Sequence, residues 1–219
     1  MSTLNVDKVD PSTGTALEIG SSGDTITVPS GATFAVSGTM NASSITAGTL
    51  AEARGGTGTT SYSPGITNAQ CFRLTTSFTG GADPIASNWE ECDTNGYGAL
   101  GSGVSQSSGL FSFAATGIYL VQFYSEWTLD GDDRQVMHEI QVTLNNSTYT
   151  LAAESRNFIQ QTSSAVTMIS GASNIQLDVT DVSNIKVAFA TAVINSSTEM
   201  QGRTDQNRTY AQFIRIGDT

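Results

Sequence analysis

GLFSFAATGIYLVQFYSEWT, residues 109–128, reads as a short strand, a turn at residues 115–117, and a long strand. In the long strand Tyr119, Val121, Phe123 and Trp127 fall on one face, with only Ser125 among them. Ile118, Leu120, Gln122, Tyr124 and Glu126 fall on the other. A period of two over this length is a strand signal. The first face has the composition of a sandwich core. The second keeps Ile118, Leu120 and Tyr124, which is too apolar for a face meeting bare water, so a second copy of the chain is expected to cover it.

The remaining composition agrees with a β protein. Charged residues make up 13% of 219, and 22 glycines punctuate a chain rich in Thr, Ser, Val, Ile and Ala. Such a mixture favours strands and turns over helices. The length suits one ordinary domain with an extension. A net charge of −11 with two lysines, Lys8 and Lys186, offers no basic footprint for nucleic acid. No apolar run has membrane-spanning length. The N-terminus lacks the basic and apolar pattern of an export signal.

Residues 1–65 differ from the rest. Short β pieces are expected at residues 4–9, 16–19, 25–28, 33–36 and 44–46, separated by turns bearing Pro11, Gly14, Gly23, Pro29 and Gly31. Each piece has too few apolar side chains to build a core within one chain, so an intertwined or stacked shaft is expected, with a loose linker as the alternative. Residues 51–65, AEARGGTGTTSYSPG, read as a joint. This glycine cluster lacks the Gly-Lys-Ser/Thr ending of a phosphate loop, so nucleotide binding is rejected.

Residues 66–219 read as a head. Strands are expected at residues 71–78, around Phe111 and Phe113, through 118–127, at 136–144, 149–151, 157–162, 165–169, 175–182, 184–194 and 210–217. Strands at regular spacing with turns between them make an antiparallel sandwich or jelly roll. In residues 184–194 Ile185, Val187 and Phe189 share one face, while Ala188, Ala190 and Ala192 make the other apolar as well.

Gly109, Phe111, Phe113, Gly117, Tyr119 and Phe123, with Tyr210 and Phe213 in the closing strand, resemble the head of the C1q and tumour-necrosis-factor families. The family's aromatic two places after the tyrosine is Val121 here. The resemblance implies a ten-stranded jelly roll that forms compact trimers, with Leu120, Tyr124, Ala188, Ala190, Tyr119 and Phe213 as the expected interface and core. The N-terminal part, with TLNVDKVDPSTGTALEIG, GDTITVPSGATFAVSGT and ARGGTG, resembles shaft and joint sequences of phage fibres. Together these imply a homotrimeric virion fibre located on the particle. Its N-terminus would meet another virion protein, and its head a host surface glycan or outer-membrane protein. A capsid head fibre or decoration protein without receptor binding is the alternative.

Candidate sites are few. Asp130, Asp132 and Asp133 lie on a turn and are weak candidates for calcium, since their spacing lacks a dedicated loop pattern. Glu90, Glu91 and Asp93 form a second acidic group, and a glycosidase pair between the two groups is the least favoured reading. No catalytic residue and no cofactor are expected. His138 is expected to pack among apolar neighbours with one hydrogen-bond partner. Cys71 and Cys92 sit near strands, and whether they pair stays open. Trp89, Asp132, Asn146 and Arg203 are the expected receptor-loop residues, within loops 79–84, 130–133, 145–147 and 199–208.

Overall fold

The computed structural model describes residues 65–162 and 165–219, with residues 9, 12–15, 19, 21–33 and 35 from the N-terminal part. The chain divides into two compact units, Met1–Tyr62 and Ser63–Thr219. In the first unit the expected turns form, with Asp24 N donating to Ser21 O and Ala32 N to Pro29 O, both at 3.0 Å. The strand expected at residues 25–28 does not form, and Ile26 and Val28 are exposed. Strand hydrogen bonds need a partner, and none stands beside these residues among those described. The pieces expected at 4–9, 16–19, 33–36 and 44–46, and most of the joint, lie wholly or partly outside the described residues.

The second unit is a sandwich of two antiparallel sheets. The strands are β1 (Asn68–Leu74), β2 (Phe78–Thr79), β3 (Trp89–Glu91), β4 (Val104–Ser107), β5 (Leu110–Phe113) and β6 (Gly117–Leu129). There follow β7 (Asp133–Thr143), β8 (Tyr149–Ile159), β9 (Thr167–Val179), β10 (Lys186–Val193), β11 (Glu199–Met200) and β12 (Tyr210–Gly217). One sheet runs β2-β11-β6-β12-β1-β3, with β9 along the other side of β6; the second runs β4-β5-β10-β7-β8.

Strand β6 alternates buried and half-buried residues without a break over its 13 positions. Its inner face carries Tyr119, Val121, Phe123, Ser125, Trp127 and Leu129, all buried. Inner faces of the opposing strands supply Phe111, Phe113, Val136, Ile140, Val187 and Phe189, and β1 and β12 supply Phe72 and Phe213. Phe111 sits at the centre: its ring lies 5.3 Å from Phe72, 5.4 Å from Trp89, 5.1 Å from Phe189 and 5.2 Å from Phe213. Aromatic pairs at such offsets add to what area burial supplies.

Several boundaries depart from the sequence expectation. The pieces expected at 149–151 and 157–162 are one 11-residue strand, β8, and those at 165–169 and 175–182 are largely one 13-residue strand, β9. Both are edge strands with polar or small residues in mid-strand, 154–157 in β8 and 170–174 in β9, which breaks the apolar signal. Strand β10 also differs. Ala188 and Ala190, expected at an interface between copies, are already buried within one chain. Loop 80–85 runs beside β10, where Ala82 N donates to Thr191 O at 2.9 Å and Ile85 N to Phe189 O at 2.8 Å. Asp83, Pro84, Leu110, Gln141 and Tyr149 ring Ala188, so the methyl groups are covered by longer neighbours and the loop.

Truncating Phe111 to alanine is expected to cost about 3–5 kcal/mol, because four aromatic partners are left around a cavity. Leu144→Ala, at a position 70% exposed, is expected to stay within about 0.5 kcal/mol. Urea unfolding of both variants checks the contrast.

Candidate functional site

The outer face of the larger sheet is the most distinctive surface of the head. Register places Tyr124 opposite Tyr210, Gln122 opposite Gln212 and Leu120 opposite Ile214. The same register continues onto β1, with Gln212 opposite Cys71 and Ile214 opposite Ala69. The Tyr124 and Tyr210 rings stack at 4.7 Å with 15° between planes, and Gln122 Nε2 donates to Tyr124 Oη at 3.2 Å. This is a band of Tyr, Gln, Leu and Ile, half-buried and uncharged. Leu120 and Tyr124 lie on it as the alternation in β6 requires. Tyr119 and Phe213 lie beneath it, fully buried in the core.

A shallow cleft of about 310 Å³ opens beside the band, lined by Cys71, Tyr97, Asn207, Tyr210 and Gln212. Next to it the side chain of Arg73 is fully buried. Its Nε donates to Glu90 Oε1 at 2.6 Å, one terminal nitrogen to Thr94 Oγ1 at 2.9 Å and the other to Asp93 Oδ1 at 2.9 Å. A planar guanidinium with fixed donors suits this task better than an ammonium. Glu90 and Asp93 are therefore committed to holding the segment after β3 against β1. Nothing in the sequence around Arg73 announced this, because its partners arrive from residues 90–94.

Exposed apolar residues also occur along β8 and β9. Leu151, Phe158, Val166 and Met168 are each more than half exposed there. Sequence reading did not mark them as exposed, because each lies inside an expected strand piece beside another apolar residue.

The acidic turn after β6 is structural. Asp133 is buried. Its carboxylate accepts from Thr198 Oγ1 at 2.5 Å, Gln135 N at 3.1 Å, Asn195 N at 3.2 Å and Ile194 N at 3.3 Å. Asp132 Oδ1 accepts from Gln161 N at 2.6 Å, and Asp130 from the Gln161 side chain at 2.5 Å. These carboxylates tie the turn to the chain after β8 and to residues 194–198. Among the described residues no group of three or more His, Cys, Asp or Glu side chains stands in metal-binding geometry.

The other expected receptor residues separate. Trp89 is not a surface platform. Its ring packs against Phe111, Phe123 and Phe189, and its Nε1 donates to Ile85 O at 2.8 Å. An indole whose N–H finds a carbonyl can pack against a core, and Trp89 does so half-buried. Loop 79–84 is likewise packed along β10 and is not a free tip. Asn146 lies on an exposed turn with φ 56°. Arg203 is exposed and paired with Asp205 at 2.5 Å. Asn146, Asp132 and Arg203 thus stand on exposed loops.

His138 packs in the core as expected. Its Nδ1 lies 2.9 Å from Ser125 Oγ, which also accepts from Trp127 Nε1 at 3.0 Å. The ring lies edge-on to Phe123 at 5.5 Å. Across from it stands Gly171, where an added Cβ would lie 2.3 Å from the imidazole carbon Cε1. Burial pushes the imidazole below its ordinary value of 6.5, against a smaller opposing effect of a backbone hydrogen bond with Ala172.

No family model matches the chain, and no curated protein matches it. Solved structures do. Eiger TNF from S. frugiperda is similar with a TM-score of 0.51 and 12% identity, over 71% of this chain and 96% of that one. Murine APRIL at pH 5.0 gives a TM-score of 0.46 and 10% identity, over 68% and 98%. Murine APRIL at pH 8.5 gives 0.44 and 11%, over the same shares. The likeness to Eiger shows the fold: the head is a TNF-like jelly roll.

Neutral His138 in the folded state and an ordinary imidazole in the unfolded chain set a pH dependence. Above about pH 6.5 both forms are neutral and nothing is lost. As pH falls below that value the unfolded chain takes up the proton first, so stability drops until the folded imidazole also titrates. Thermal melts between pH 7.5 and 5 are expected to show this fall. His138→Gln is expected to flatten it over the same window.

Proposed function

We propose that the chain is the subunit of a homotrimeric virion fibre whose jelly-roll head attaches to a host bacterial surface. The observation that carries the reading is the order of two unlike parts in one chain. A fibre-like N-terminal sequence leads through ARGGTG into a TNF-like sandwich. The N-terminal part would meet another virion protein. Its exposed Val9, Ile19, Ile26 and Val28 support assembly with further copies, because apolar residues on short segments gain cover only from neighbours.

Self-association of the head is supported by the Tyr124–Tyr210 band and by the exposed apolar residues along β8 and β9. They differ in shape and sequence, so contact between them is heterologous. A heterologous contact that closes makes a ring, and the TNF-like resemblance supports a ring of three. Edge strands β8 and β9 also gain from cover, since each carries unpaired backbone groups along one side. Loops bearing Asn146, Asp132 and Arg203 would then touch a glycan or an outer-membrane protein. Three weak contacts on one body bind by avidity.

Electron microscopy of the intact particle with the head labelled tests location and stoichiometry together. Label on a tail fibre, with binding of the purified chain to host cells, is the expected result. Label on the capsid with no cell binding would favour a head fibre or decoration protein. The assembly itself is tested by light scattering after gel filtration. Tyr124→Asp places a charge on the band and is expected to weaken self-association by about 30-fold or more, while circular dichroism stays that of a folded β protein. A wild-type chain that runs as a monomer at micromolar concentration would refute the trimer.

A further inference from the structure

Cys71 on β1 and Cys92 just past β3 stand directly across from one another. The register of β1 and β3 pairs Phe72 with Glu91 and Arg73 with Glu90. One step further along the ladder Cys92 N donates to Cys71 O at 2.9 Å. Residues opposed in an antiparallel pair have a Cα separation inside the range that a disulfide spans. The two Sγ atoms are 3.1 Å apart, closer than two unbonded sulfurs rest. Both are thiols in this structure.

We propose that Cys71 and Cys92 are a redox site that closes to an intrachain disulfide with a peroxide as oxidant. Their surroundings serve this chemistry. Asn207 bridges both sulfurs, with Nδ2 3.3 Å from Cys71 and Oδ1 3.4 Å from Cys92. The Cys71 thiol holds Cys92 below the ordinary thiol range, helped by Asn207 and the Arg73 charge and opposed by burial. The Cys92 hydrogen bond and burial push Cys71 upward. The two sulfurs share a hydrogen bond, so one can ionise while the other keeps its proton. Cys92 is buried and Cys71 lines the cleft with Tyr97 and Tyr210, so a reagent must be small. A peroxide meets that limit.

The thiolate of one cysteine attacks one peroxide oxygen, the O–O bond breaks, and hydroxide leaves, giving a sulfenic acid on that sulfur. The sulfur of the other cysteine then attacks it. The S–O bond breaks, and the hydroxyl departs as water with the proton of the second thiol. Two thiols lose two electrons and peroxide gains them, with two waters formed when the first hydroxide takes up a proton. No large backbone movement is needed, because the strands are already paired. The bond would fasten β1 to the segment that Arg73 already holds through Glu90 and Asp93.

The test uses the full reduced chain, freed of reductant and given one equivalent of hydrogen peroxide under native conditions. Denaturation, alkylation and mass spectrometry follow. The expected result is a single chain lighter by two hydrogen atoms and closed to alkylation at both cysteines. A linked peptide pair containing Cys71 and Cys92 should appear, and dithiothreitol should restore both thiols. Its melting temperature is expected to rise by about 5–10 °C, a rise absent from Cys71→Ser and Cys92→Ser. Two alkylatable thiols after treatment would overturn the proposal. So would links between chains, or sulfinic acid on one cysteine with the other still free. If either serine variant fails to fold, the wild-type mass and linked peptide decide alone. Every readout concerns one chain, so the outcome does not depend on assembly or location.

Discussion

The head depends on one contact pattern: aromatic rings from strands distant in sequence, meeting around Phe111. Phe72 comes from β1, Phe189 from β10, Phe213 from β12 and Trp89 from β3. These strands lie in both sheets. The cluster therefore clamps the sandwich and also joins the chain's early and late segments. Such non-local closure costs loop entropy before any contact forms. Large rings that each touch several partners are a direct way to offset it.

Everything outside the cluster follows from which sides of the sheets remain to be covered. On the smaller sheet the chain covers β10 itself, with loop 80–85 and longer neighbours over two alanines. On the larger sheet it does not: the Tyr124–Tyr210 band stays half-buried, and Met168 on β9 stands in the open. The asymmetry is physical. Alanines can be hidden by the side chains beside them, whereas the stacked tyrosines stay half-buried.

The sandwich was legible because β6 and β7 alternate over long runs, and Phe111 and Phe113 lead straight into β6. The fused lengths of β8 and β9 were not, since an edge strand exposes polar residues on positions that elsewhere mark its phase. Leu120 and Tyr124 were placed on the correct face by period alone. Trp89 was misplaced, and the cover over Ala188 and Ala190 was not foreseen, for one reason. A single sequence shows that a residue is apolar or aromatic, but not which loop arrives to cover it. The burial of Arg73 escaped notice for the same reason, since its partners lie about twenty residues away along the chain.

Gly171 has a consequence for how this protein can change over generations. It leaves no room for a methyl group while the imidazole of His138 stands opposite. Any larger residue at 171 must follow the loss of that ring, and a chain that has lost the ring is free to fill the gap. The two positions should therefore drift as a couple among descendants of this molecule, glycine travelling with histidine and bulkier residues travelling with smaller partners.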